Sequence, residues 1–512
     1  SSVVFRPSSV VLAAMLIIVV WFSAYSIRLH DAHRTHKADL GQIDLAIWNT
    51  AHGRFVQEIK DDRISTRLTD HVEPIFIPVS LIFWLWDDVR ALLILQAVAL
   101  AAGAWPLYRL AERRIRDVQR HVARPKAGAS AGDMAAWAAV VFAAAYLLQP
   151  IVQAAAVAEF HALALAPPFV AWALWAAEAR RPGQFIAAGL LLMGVQEGMA
   201  LLTAGLGVYA LATAASASAQ TIAAPGRGWR SVGLARRFLR PVPLAGAVLL
   251  ILGLVWFYVT TFVIIPHYAG QVYGLAQTPY AARYGALGES FGDVLKSLAT
   301  QPGVALGVAG EPARVQYLIR LLAATGFLAL LGPEILLLGA PLLFANLFSS
   351  FPMQYFGELH YSAPLAPYLI LAALIGLRRF VAQAQPLTGG RPALLLGLTL
   401  IAAGALIAQV ERGYTPIGRE FARLGPGWPA VTAHERLLAR FAAQIPADAP
   451  LSATASLYPH LSHRPLIYQF PWLGQAEWAL IDVTSTTDRH PADIQHAIAR
   501  LLETGWGVMD AA

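Results

Sequence analysis

The stretch Ser9–Ile27 reads SVVLAAMLIIVVWFSAYSI and carries no charged residue from end to end. At about 1.5 Å per residue it is long enough to cross a hydrocarbon core of about 30 Å, and that decides the class of the fold. Working outward, Ala162–Ala177, Leu244–Ile265 and Ala393–Val410 repeat the pattern. Across the 512 residues, 57% are hydrophobic and 13% charged, with a mean hydropathy of +0.54. A soluble domain carries roughly a quarter charged residues, so the chain is expected to be a polytopic membrane protein. The same apolar content excludes disorder, and the absence of cysteine excludes a disulfide framework. No small-residue cleavage site follows Val10–Val20, which favours a retained anchor over a signal peptide.

A net charge of +7 invites a nucleic-acid partner, but the arginines are grouped in four stretches: Arg109–Lys126, Arg180–Arg181, Arg227–Arg240 and Arg378–Arg391. Short basic loops stay cytoplasmic, so these clusters orient the bundle and need no nucleic acid. Ser9–Ile27 then delivers residues 28–88 to the outer side as a first large loop. Within it Pro74–Trp86 is too short to cross and is expected as an interfacial or re-entrant helix. The further spans are Val89–Leu110, Met134–Gln149, Ala162–Ala177, Gln184–Gln196, Met199–Ala212, Pro243–Ile265, Val315–Leu331, Glu334–Phe348, Pro364–Leu377 and Ala393–Val410. That makes eleven, with a second large outer loop over residues 266–314. The joint at Gly332–Glu334 has no basic loop to mark it. Residues 1–411 thus form a mainly α, transmembrane helical bundle. Residues 412–512 are expected as a small α/β module on the outer face, with helices near His434–Gln444 and Ala492–Glu503 and strands at Leu451–Ala453 and Trp478–Val483. The chain stops at Val508–Ala512, where another strand is expected.

Thirteen of the fourteen histidines fall on the predicted outer side, His121 being the exception. So do the carboxylates nearest the span ends: Asp39, Asp44, Asp70, Glu159, Glu197 and Glu358. Polar groups at membrane depth are costly unless they face water, so this clustering points to a wet site at one face. In the first loop, Leu40, Ile43 and Ile47 recur at helical spacing, which predicts a short amphipathic helix on the bilayer or on other spans. Asp39 begins it, as a cap completed by Gln42 or as a functional carboxylate. Asp44, five residues on, lies about 140° around a regular helix, so one aspartate faces the cavity and the other a structural partner. Asp70 and His71 are helix-start residues or ligands for a phosphate, a metal or an acceptor hydroxyl. Glu159 and His161 share a face only if the helix has not yet begun. Glu197 is a hairpin tip or a buried functional group. His267, Glu358, His360 and Tyr361 sit at span boundaries, as interfacial anchors or as site residues. Arg320 lies inside an apolar segment, where it snorkels or holds a phosphate. No nucleotide loop, zinc signature or nucleophile elbow occurs.

The run Asp39-Leu40-Gly41…Asp44…Trp48-Asn49-Thr50-Ala51-His52-Gly53-Arg54, with Asp70-His71…Pro74, Glu159-Phe160-His161, Glu197 and Glu358-Leu359-His360-Tyr361-Ser362-Ala363-Pro364, resembles an uncharacterised family of bacterial polytopic membrane proteins. That family is similar in turn to the GT-C superfamily of membrane glycosyltransferases. Its pattern places a glutamine after the second aspartate, where this chain has Leu45. The resemblance implies a bundle with two membrane-parallel helices in the first outer loop, seated in the bacterial cytoplasmic membrane. It also implies transfer of a sugar from a polyprenyl-phosphate carrier on the outer face. Asp39 is the favoured base and Asp44 the reserve; Arg283, Arg320 or His360 would receive the leaving phosphate. A divalent cation is left open. The alternative is a non-catalytic membrane subunit of a larger complex. A transporter is disfavoured because no paired broken helices occur in equivalent halves.

Overall fold

The computed structural model describes residues 6–122, 131–222, 240–423, 428–484 and 490–512. It is mainly helical, at 70%. Among the described residues five helices are long and apolar enough to cross a membrane: Pro7–Asp31, Arg90–Arg120, Pro241–Tyr273, His360–Thr388 and Gly390–Arg412. A sixth crossing results if Met134–Leu147 and Pro150–Val157, bent by 47°, count as one span. This corrects the expected eleven. The apolar stretches Ala162–Glu178, Pro182–Met193, Met199–Thr213 and Pro333–Leu347 are each 10–17 residues as described. Val315–Leu331 is cut by left-handed backbone at Gly326 and Phe327, with φ of 58° and 59°. The physical reason is that a side chain packed between helices and one facing lipid are equally apolar; only the length of unbroken helix separates them.

The apolar windows of Arg90–Arg120 and His360–Thr388 are 67% and 72% buried, which places these helices at the centre of the bundle. Pro7–Asp31 and Pro241–Tyr273, each 22% buried, turn apolar faces outward. Met199–Ile222 packs on Pro241–Val259 where Gly207 meets Gly246; a Cβ at Gly207 would run into the Gly246 carbonyl, so small residues set the approach. Glu334 accepts hydrogen bonds from Arg379 at 2.9 and 2.8 Å, which ties the Gly332–Glu334 joint to an arginine-bearing end of the bundle. Residues 227–239 of the predicted loop Arg227–Arg240, residues 123–126 of Arg109–Lys126 and the side chain of His121 lie outside the described residues.

The first loop is more structured than its sequence suggested. A π turn at Lys37–Gly41 leads into the helix Gln42–Ala51, and strands β1 (Gln57–Lys60) and β2 (Arg63–Thr66) pair antiparallel. Asp61, at the turn between them, has a φ of 53°, as tight hairpins require. The helix is buried from Gln42 through Asn49, so it lies against protein and not on a bilayer surface. Pro74–Trp86 becomes a short helix, Phe76–Ser80, and a 3-10 turn, Leu81–Trp84. Trp84 is 71% and Leu85 89% exposed, which suits insertion at an interface.

At the C-terminal end, β3 (Leu451–Ala453) is flanked by β4 (Ile467–Gln469) and β5 (Trp478–Leu480), all parallel, with helices Ala433–Ala442 and Pro491–Glu503. Leu438, Leu451, Tyr458 and Ile467 form one apolar cluster with Leu45 and Ile59 of the first loop. The departure at Leu45 therefore has a packing role. Gly41 faces the Tyr458 ring so closely that a Cβ would collide with it.

Candidate functional site

The end of the bundle that carries this sheet contains a cavity of about 930 Å³. Phe257, Phe262, Phe291 and Leu342 supply an apolar part of its wall, and charged side chains supply another part. Asp39, Asp70, His71, His161, Glu197, Arg283, His360 and Tyr361, picked from distant parts of the sequence, all line it.

Glu159 explains how Asp39 is presented. Its carboxylate accepts the backbone N–H groups of His36 and Leu40, both at 2.9 Å, and so caps the π turn from another part of the chain. The capping role expected of Asp39 thus falls to Glu159, and Gln42 instead donates to Glu58 at 2.7 Å. Residues 159–161 are not helical, which lets Glu159 and His161 serve the same loop. The His161 Nδ1–H donates to the Glu159 carbonyl at 2.6 Å, leaving Nε2 3.2 Å from Asp39 Oδ1. Since the carbonyl can only accept, a proton must lie between Nε2 and the carboxylate. Burial raises the Asp39 pKa, but the His161 hydrogen bond and charge outweigh it and hold the carboxyl below its ordinary value. Asp39 Oδ2 has no hydrogen-bond partner among the described residues. His360 stacks on His161 with ring centroids 3.5 Å apart.

The rest of the charged wall is paired. Lys60 of β1 donates to Asp70 and lies 3.0 Å from Glu58. Arg67 Nε donates to Glu73 at 2.8 Å. His71 Nδ1 bonds Glu197 at 2.9 Å, and the Val72 N–H donates to the other Glu197 oxygen at 3.1 Å, so Glu197 is a half-buried, doubly bonded partner and not a solvated tip. Burial opposes the charge on His71, but Glu197 outweighs it and raises the pKa above the ordinary value. Arg283 differs: its guanidinium lies 4.5 Å from the Tyr280 ring centroid and 4.6 Å from that of Phe351, and donates to Gln354 at 3.3 Å. No carboxylate pairs with it among the described residues. Such a cation suits an incoming anion. No three His, Asp or Glu side chains converge as a metal cage among the described residues.

Other predicted residues lie elsewhere. Asp44 is fully buried, accepting from Ser462 at 2.5 Å and bonding His463 at 3.1 Å, while the second His463 nitrogen meets Asp87 at 2.7 Å. It fastens the C-terminal sheet to the first loop. His267 is exposed beside Gln271, and Glu358 pairs with Arg412 at 2.9 Å. Arg320 is not among the lining residues. Lys60, Arg67, Glu73, Tyr280 and Gln354 were not foreseen. For Lys60 the signal was the hairpin formed by Gln57–Lys60 and Arg63–Thr66 around Asp61-Asp62.

His463 carries a prediction. Burial lowers its pKa, but Asp44 and Asp87 together raise it above the ordinary value. Its stabilisation is then complete below the unfolded pKa of about 6.5 and lost as pH rises through the folded value. Thermal unfolding in detergent should show wild type losing stability above about pH 6.5 relative to His463→Gln. A constant difference between the two across that range would remove the role.

The apolar helices are those of a multi-pass membrane protein, with a partly charged cavity at one end of the bundle. Residues 34–510 match the family described as "Predicted membrane protein (DUF2079)", and the chain belongs to that family. No curated protein matches it.

Proposed function

We propose that the cavity is the active centre of a GT-C-like glycosyltransferase, which moves a sugar from a polyprenyl-phosphate-linked donor to an acceptor at the outer membrane face. One observation carries this: Asp39, held by His161, and the carboxylate-free cation Arg283 line the same cavity. Asp39 Oδ2 takes the proton of the acceptor hydroxyl, and the freed oxygen attacks the anomeric carbon. The bond from that carbon to the phosphate oxygen breaks, and the carrier phosphate leaves with the electron pair against Arg283, giving inversion. The apolar wall of Phe257, Phe262 and Leu342 suits the carrier's hydrocarbon tail.

Placement at the outer face of the bacterial cytoplasmic membrane rests on charge. Ala162–Glu178 and His360–Thr388 begin at the cavity, and Arg90–Arg120 begins where Arg90 pairs with Asp31 at 2.8 Å. All three run toward arginines: Arg180-Arg181, Arg378-Arg379 and Arg109–Arg120. By the positive-inside rule that far end is cytoplasmic.

Arg283→Gln tests the reading. The KM for a lipid-linked donor should rise roughly tenfold to a hundredfold, with partial recovery in Arg283→Lys. An unchanged KM in both would remove the phosphate site. A second reading, a non-catalytic subunit of a larger complex, is favoured by the dense pairing of Lys60, Arg67 and His71 with carboxylates, as in a purely structural network.

A further inference from the structure

A second concavity, of about 460 Å³, lies at the opposite end of the bundle from the cavity. Arg109, Arg113, Arg116 and Arg120 follow one another at intervals of four, three and four, which puts them on one face of the helix Ala104–Val122. That face forms one wall, and Arg181 with Trp175 forms the other. Five arginines meet only two carboxylates in this lining. Glu112 is shared by Arg109, at 3.7 Å, and Arg116, while Asp117 takes Arg120 at 3.2 Å. Arg113 has no carboxylate partner among the described residues. Nor has Arg181, whose guanidinium instead lies 5.3 Å from the Trp175 ring centroid.

Topology alone asks only that arginines be present at this end; it does not ask that they close around a space. Here two guanidinium groups without a carboxylate partner among the described residues, one on the helix Ala104–Val122 and one in the turn before Pro182–Met193, border one concavity, with an indole at its side. Guanidinium forks match phosphate oxygens, and an indole at a span end sits at headgroup depth. We propose that this concavity binds the phosphate of an anionic phospholipid headgroup. A basic hollow between helix ends at the cytoplasmic surface is where such headgroups are held. The site is independent of the transfer chemistry at the other end.

Native mass spectrometry of the full chain, released from detergent containing either phosphatidylglycerol or phosphatidylcholine, tests it. Wild type should retain phosphatidylglycerol preferentially, and Arg113→Gln with Arg181→Gln should reduce that retention about tenfold. Arg378→Gln with Arg391→Gln, which removes the same charge from exposed positions outside the concavity, should keep the preference. Inorganic pyrophosphate forms a third arm. Tight binding of pyrophosphate without preference for phosphatidylglycerol would assign the concavity to a soluble anion and overturn the lipid proposal. Equal retention by wild type and the Arg113/Arg181 variant would overturn it as well.

Discussion

Asp39→Asn should abolish sugar transfer, by roughly a hundredfold to ten-thousandfold, while the folded yield and the thermal midpoint stay near wild type. The substitution keeps the shape of the side chain and its contact with His161, but an amide cannot accept the acceptor's proton. Folding is expected to be spared because the Asp39 side chain is 54% exposed to the cavity and the π turn beneath it is capped by Glu159. Asp44→Asn should behave in the opposite way. That carboxylate is wholly buried against Ser462 and His463, so its loss weakens attachment of the C-terminal sheet and leaves proton transfer in place. Turnover with a polyprenyl-phosphate-linked sugar, measured beside the unfolding midpoint, separates the two. Wild-type turnover in Asp39→Asn would remove the base and favour the subunit reading.

The second large effect is on stability. Arg67 is 7% and Glu73 5% exposed, and they face each other between the cavity and a smaller apolar pocket of about 250 Å³ lined by Val72, Trp256 and Tyr268. Glu73→Gln leaves the guanidinium buried without its counter-charge, which costs about 3–5 kcal/mol in comparable settings. Arg67→Met should cost a similar amount, and combining the two should restore part of the loss, because no isolated charge then remains. Unfolding in detergent reads this directly. Single variants within about 0.5 kcal/mol of wild type would show that the pair does not hold the hairpin in place.

These residues also show where sequence stops being sufficient. The apolar run Ser9–Ile27 announced a membrane helix because hydropathy and length agree there. Val315–Leu331, apolar apart from Gln316 and Arg320, also read as a span, yet Gly326 and Phe327 break it, and composition does not register a change in backbone direction. Asp39, His161, Glu197 and His360 were legible as site candidates, since polar residues at apolar boundaries stand out. Arg67 and Glu73 were not, because charged residues in a polar loop look like solvated surface until the turn after β2 brings the two together beside the cavity. Asp39 and Asp44 had to diverge by helical geometry, but which of them met the cavity depended on Ser462 and His463, more than four hundred residues away in the chain. The strand at Ile467–Gln469 went unseen, although β3 and β5, which are no longer, were expected.

The measurement closest to the central claim is a cryo-EM map of the full chain with a short-chain polyprenyl-phosphate sugar bound. The predicted result is phosphate density within hydrogen-bonding reach of Arg283, sugar density facing Asp39, and the hydrocarbon chain along Phe257 and Phe262. An empty cavity under saturating lipid, with density at some other surface of the bundle, would contradict it.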